Sequence, residues 1–279
     1  MPQEHYDTVG GYRIRYLEAG TGPPLVLVHG LGNSAMVFRR SFEELAQHFR
    51  VLAPDLPGHG RSQNPTKAGY TAIAGTRFLA AFLEQVAGEP AHLLGVSAGG
   101  LLSGLVAYYY PQRVRRLVLV GSAGLGRDLH WSLRLASMPS LGRLFIPRTR
   151  RGVRAVLKMV IHDPSKVDNE LVEQLYQERR LAGNQEALYW AFRSGVGPLG
   201  QLSWQAYRHR ILRLSLPVLI AWGAQDRVIP VAHALAAVRR MANARLHVFG
   251  RCGHWPFYEY PEEFNRLVLS FLLSFPGGD

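Results

Sequence analysis

Gly95-Val96-Ser97-Ala98-Gly99 follows the apolar run Ala91-His92-Leu93-Leu94 and precedes Gly100 and a helical stretch. A serine therefore sits at a sharp strand-to-helix turn with a glycine on each side, the layout of a nucleophile elbow. Strand and helix pack so tightly around such a turn that a side chain at either glycine would collide, and the serine backbone itself is strained. The hydroxyl is lifted clear of the sheet, and the first amide of the helix points to where an oxyanion would form.

The rest of the chain repeats the same strand-then-helix unit. Tyr12 to Leu17, after the turn Gly10-Gly11, reads as a hairpin arm, and Leu25-Val26-Leu27-Val28 as a strand buried on both faces. A helix is expected over about 38–49, a strand at Val51-Leu52-Ala53-Pro54-Asp55 and a helix over about 72–86. Leu117-Val118-Leu119-Val120, Val218-Leu219-Ile220-Ala221 and Leu246-His247-Val248-Phe249 supply further strands, with helices after the last two. The expected class is α/β, a mostly parallel central sheet with helices on both faces.

Between Ser122 and about Gln205 the alternation stops, and the chain reads as helices rich in large apolar residues. Strand patterning resumes at Leu216. The expected organisation is a core segment 1–121, an inserted helical cap 122–205 and a second core segment 206–279. The cap would lie over the carboxyl ends of the strands, where ligands bind in such sheets. Most cap aromatics are expected to pack helix against helix. Trp131, Met138 and Trp190, with Trp255 from the core, are the candidates for lining an apolar substrate pocket.

A serine hydroxyl needs a base, and the base needs an acceptor on its other nitrogen. Asp226, in Trp222-Gly223-Ala224-Gln225-Asp226-Arg227, follows one predicted strand; His254, in Gly250-Arg251-Cys252-Gly253-His254-Trp255, follows the last. Of the eleven histidines, only His254 follows a terminal strand through a glycine-containing loop. The order Ser97, Asp226, His254 is the one this architecture uses. His29-Gly30-Leu31-Gly32 follows the strand at 25–28, so the Leu31 amide can face that of Ala98 as the second oxyanion donor. His29 is read as a hydrogen-bonding strut, and Asp55-Leu56-Pro57-Gly58-His59-Gly60-Arg61-Ser62 as a structural loop with Asp55 a fallback acid.

The formal charge of +12 comes almost wholly from arginine, since only Lys67, Lys158 and Lys166 are lysines. Arg143, Arg148, Arg150, Arg151, Arg154 and Lys158 form the densest basic stretch; the last four can lie on successive turns of a helix and read as a solvated helix face, without a nucleic-acid fold signature. Attraction of anionic substrates ranks above nucleic acid as a use for this charge. Histidines and acids lack metal-ligand spacing, and the glycine-rich loops fit no nucleotide fingerprint, so no metal or cofactor is expected. Cys252 is the only cysteine, which excludes an intrachain disulfide. No apolar run is long enough to span a bilayer, and the polar start lacks signal-peptide order, so a cytoplasmic protein is expected. A homo-oligomer is compatible with the sequence.

Taken together, Val28-His29-Gly30-Leu31-Gly32, the Asp55 to Ser62 loop, Gly95 to Gly100, the Asp226 loop and Gly253-His254 resemble the α/β-hydrolase superfamily. Serine at position 97 separates the chain from the dehalogenase and epoxide hydrolase branches, which carry aspartate there. Leu31-Gly32 departs from the phenylalanine-proline pair of the haloperoxidase branch. Cys252-Gly253-His254-Trp255, Glu259 and His162-Asp163-Pro164-Ser165 are similar to hydrolases that cleave carbon-carbon bonds in ring-fission products of aromatic degradation. Those enzymes usually have asparagine where Val96 stands and Gly-Pro-Gly in the oxyanion loop, where this chain has Gly32-Asn33-Ser34. They also hold a substrate carboxylate with a cap arginine, for which Arg179 or Arg180 is the counterpart here. The leading expectation is a carboxylesterase for modest apolar esters working through an acyl-enzyme. Carbon-carbon hydrolysis of dienoic acids is the second, and a receptor that kept the hydrolase pocket is the third.

Overall fold

The computed structural model describes residues 2–139 and 141–274, so Met1, Ser140 and 275–279 of the expected segments lie outside the described residues. In chain order the strands are β1 (Gln3–Val9), β2 (Tyr12–Ala19), β3 (Pro24–Val28), β4 (Arg50–Pro54), β5 (Ala91–Val96), β6 (Val114–Val120), β7 (Val196–Gly197), β8 (Gly200–Gln201), β9 (Val218–Gly223) and β10 (Ala244–Phe249). Eight form one sheet in the order β1-β2-β4-β3-β5-β6-β9-β10, and β7 and β8 form a separate hairpin. β3, β5 and β9 are buried at every residue, as runs covered on both faces must be.

From β4 to β10 the pairings are parallel, while β1 and β2 add antiparallel pairs at one edge. β1 carries no apolar run: apart from Val9 it is exposed or half-buried, so period and composition do not reveal it. It forms because the Gly10-Gly11 turn, with both glycines at positive φ, folds it back on β2.

The helices are α1 (Phe42–Leu45), α2 (Ala72–Phe82), α3 (Ala98–Tyr109), α4 (Trp131–Ala136), α5 (Arg150–Val160), α6 (Asn169–Arg180), α7 (Asn184–Gly195), α8 (Trp204–Ile211), α9 (Ala232–Val238), α10 (Pro256–Glu259) and α11 (Pro261–Leu273). The single helix expected over about 38–49 is instead a 3-10 turn, Ala35–Phe38, and the four-residue α1. Phe38, Phe42, Leu45 and Phe49 are all buried, so their helix-like spacing reports a common buried side and not a continuous helix. Helices α4 to α7 fall between β6 and α8, with α5 on α6, α6 on α7 and α4 on α7. α8 packs against α3, one of the helices that flank the sheet. None of the described helices is long and apolar enough to cross a membrane.

From β3 the chain moves to β4 on one side and then to β5 on the other. The crevice at the carboxyl ends of β3 and β5 is thus a topological switch point, the place where such sheets bind ligands. Val28 pairs with Gly95 there, which brings the loops bearing Leu31 and Ser97 side by side.

Candidate active site

Ser97 has φ 56° and ψ −118°, a conformation that a side-chain-bearing residue holds only under constraint. The constraint is visible in its backbone: its N–H donates to Val120 O at 2.9 Å, and its carbonyl accepts from Gly100, Leu101 and Ala123. The flanking glycines are required by contact. A Cβ on Gly99 would lie 2.2 Å from Val28 O, and one on Gly95 would lie 2.4 Å from Gly99 O. Ala98 is the first residue of α3, so its amide has no intrahelical acceptor.

β9 and β10 are neighbours, and hydrogen bonds stitch the loops at their carboxyl ends together. Gln225 N donates to Cys252 O at 2.9 Å, and Cys252 N to Gln225 Oε1 at 3.0 Å. These contacts bring His254 Nδ1 to 2.6 Å from Asp226 Oδ2, with the two side chains 3% and 0% exposed. The other carboxylate oxygen accepts from the amides of Val228 and Ile229 at 2.8 and 2.9 Å. A carboxylate accepts only, so Nδ1 carries a proton and, in the neutral ring, Nε2 holds the lone pair. Nε2 is buried with no hydrogen-bond partner; the contact to Ser97 Oγ is not closed in this state. Gly121 supports the ring, since a Cβ there would lie 2.7 Å from His254 Nδ1.

Ser97, Ala98, Leu31 and His254 line one cavity of about 230 Å³. A neighbouring cavity of about 320 Å³ shares Leu31, Ala72, Ala98, Leu101 and Gly195 with it. Of the four expected pocket residues, only Trp255 lines the first cavity. Trp131 is 63% exposed at the start of α4, its ring over His130, while Ser132, Leu133 and Ala136 face inward. Met138 lies beyond α4, in the turn that accepts from Gly142 N. On α7 Leu188 and Phe192, four residues apart, face the cavity; Trp190, between them, points elsewhere and packs on Tyr189 and the Lys67 ammonium.

Arg179 also lines this apolar cavity. As a residue it is partly exposed, but Nε and Nη1 are buried and have no partner, and Nη2 donates to Gly32 O at 3.4 Å. Burial pulls its pKa down to about 10, against the pull of Glu178 in the other direction. Neighbouring Glu178 accepts from Ser34 Oγ at 3.0 Å and from Gln174 Nε2 at 3.2 Å. Burial, with the charge of Asp55 added, pushes it up to about 7.

The groups read as structural are indeed engaged elsewhere. His29 donates from Nδ1 to Gly30 O and accepts from Leu56 N at Nε2, and burial lowers it to about 4. Asp55 is fully buried and accepts from the amides of Ala35 and Arg61 and from Arg15. Cys252 is buried, and burial together with Glu259 raises its thiol. Glu259 is a site residue whose role motif reading did not define. It accepts from Gly253 N at 2.6 Å and from the His162 and Asp163 amides at 3.0 and 3.1 Å, clamping the His254 loop to the segment after α5.

The sequence profile of the α/β-hydrolase fold matches residues 23–261. The chain belongs to the α/β-hydrolase family. This hydrolase is 34% identical over 265 residues to the 2-hydroxy-6-oxononadienedioate/2-hydroxy-6-oxononatrienedioate hydrolase of Burkholderia vietnamiensis, covering 93% of this chain and 91% of the relative. It is 34% identical over 275 residues to the 2-hydroxymuconate semialdehyde hydrolase of Pseudomonas putida, covering 94% and 91%. Among solved structures, the meta-cleavage product hydrolase of Pseudomonas fluorescens IP01 superposes with a TM-score of 0.82 at 29% identity, over 96% of this chain and 97% of the other.

Proposed function

We propose that this hydrolase cleaves a carbon-carbon bond in dienoic ring-fission products of aromatic degradation, with Ser97 as nucleophile, His254 as base and Asp226 as its orienting acid. The observation that carries the reading is Arg179. An arginine with two buried, unpartnered N–H groups in an apolar wall is costly unless an anion completes it, and a dienoic substrate brings a carboxylate. The names of the relatives support the same substrate class. This reverses the order in which the sequence ranked ester and carbon-carbon cleavage.

In this mechanism the substrate carboxylate docks on Arg179, which sets its distal ketone against Ser97. His254 Nε2 takes the Ser97 proton as Oγ adds to the ketone carbon, and the Leu31 and Ala98 amides hold the oxyanion. Collapse breaks the bond between the ketone carbon and its neighbour. The substrate reacts as its 2-oxo tautomer, the 2-hydroxyl proton having first moved to the carbon beside the ketone. The leaving electron pair therefore delocalises to the 2-oxygen as a dienolate, which takes the proton from His254 and leaves an acyl-Ser97. Water, deprotonated by His254, then releases the acid and regenerates the serine.

The second reading, a carboxylesterase, draws on the apolar cavity wall and on Val96 where the carbon-carbon hydrolases usually have asparagine. Specificity constants separate the two. A 2-hydroxy-6-oxohexa-2,4-dienoate, followed by loss of its chromophore, is expected to exceed 4-nitrophenyl butyrate by about 10²-fold or more in kcat/KM. The opposite order would replace the proposal with the esterase reading.

A further inference from the structure

A further cavity of about 340 Å³ is lined by Arg179 with Arg143, Arg148, Arg180 and Glu186 and the turn after α6. Four arginines and a single acid thus line it. That carboxylate is already occupied, because Arg143 Nη2 and Nε donate to its two oxygens at 2.7 and 3.1 Å. Arg148 and Arg180 are exposed, and no ion pair to either is present among the described residues. Glu173, an acid that feels the charge of Arg180, is itself held by Arg150 at 2.5 Å. The cavity therefore keeps an uncompensated positive charge.

Arg179 borders both this space and the inner one. Its Nη2 is spent on Gly32 O, whereas Nε and Nη1 have no partner. An anion held between Arg148 and Arg180 would stand beside the one cation that also borders the Ser97 cavity. Like-charged guanidinium groups converging on a concave surface raise the local concentration of small anions.

We propose that this outer cavity is an anion port: it binds small carboxylates, substrate on the way in and acid product on the way out, and exchanges them with the inner cavity along Arg179. The port's use in turnover rests on the carboxylate-substrate reading above; its capacity to bind a carboxylate does not.

The test uses Arg148→Gln combined with Arg180→Gln, both outside the reacting groups, in two measurements at low ionic strength. Succinate, as a non-reacting probe, is titrated calorimetrically into Ser97→Ala protein with and without the two changes. Its dissociation constant is expected to rise about fivefold or more, the scale of two exposed charge contacts. In protein with Ser97 intact, kcat/KM for the anionic mono-4-nitrophenyl succinate is expected to fall by a similar factor through KM and to lose most of its salt dependence. The neutral 4-nitrophenyl butyrate should be unchanged. Unchanged succinate affinity, or equal loss on both esters, overturns the port. Weakened succinate binding in a protein that ignores dienoic acids would keep the port and reject the substrate reading.

Discussion

Asp226 and His254 form a closed, oriented pair. The carboxylate accepts from Nδ1 at 2.6 Å with one oxygen and from the Val228 and Ile229 amides with the other, so it cannot turn. The imidazole is thereby fixed with Nε2 free at the wall of the Ser97 cavity. The sequence places these two residues 28 positions apart, and only the parallel pairing of β9 with β10 brings their loops together.

Replacing Ser97 by alanine is expected to lower kcat by at least about 10⁴-fold. The Ser97 main-chain hydrogen bonds remain, so the melting temperature should stay within about 2 °C. Steady-state rates and a thermal melt on one preparation check both halves.

Asp226→Asn is expected to cost about 10³ to 10⁴-fold in kcat with little change in KM. The Val228 and Ile229 amides require the amide oxygen, which turns the NH₂ group toward Nδ1. The histidine must then carry its proton on Nε2 and can no longer accept one from serine. NMR of the ring nitrogens would show the switched tautomer alongside the lost activity.

Arg179→Leu should lower kcat/KM for a dienoic acid by about 10²-fold, chiefly through KM, because a desolvated charge contact is lost. Turnover of a neutral ester should change by less than about threefold, since no charge is there to miss. Equal losses on both substrates would make Arg179 a structural residue.

Glu259→Gln leaves an acceptor for one side of its clamp but turns an NH₂ group toward N–H donors on the other. A loss of about 1–3 kcal/mol in stability is expected, together with a lower kcat as the His254 loop loosens. Urea unfolding measures the first and substrate turnover the second.

Glu178 is expected to make stability fall as pH rises. Its pKa is about 7 in the fold and near 4.5 when unfolded, so between those values the folded chain keeps a proton that the unfolded chain has lost. Below about 4.5 the group costs nothing; above about 7 the full penalty applies. Glu178→Gln should flatten this slope and stabilise the protein at pH 8 by roughly 1–2 kcal/mol. Thermal melts across pH 4 to 8 for both proteins give the comparison; parallel curves would remove Glu178 from the explanation.

The elbow at Ser97, the buried strands and the loop positions of Asp226 and His254 were legible because each depends on residues close in sequence. Glycines at 95 and 99 answer to clashes a few bonds away, and an uninterrupted apolar run reports burial on both faces of a sheet. The edge strand β1 was not legible, since its side chains face water and its pairing is imposed by β2. The helix expected over about 38–49 is broken into short turns because burial at helical spacing does not require continuous backbone hydrogen bonding.

Local sequence by itself determined the buried strands, the strained turn at Ser97 and the loops that carry Asp226 and His254. Tertiary structure alone decided which residues of α6 and α7 line the Ser97 cavity: Leu188 and Phe192 in place of Trp190, and Arg179 with its unpartnered nitrogens in place of exposed Arg180. The reason is geometric. Turn chemistry is written in neighbouring residues, whereas the face a helix turns inward depends on how it docks against elements far away in the chain.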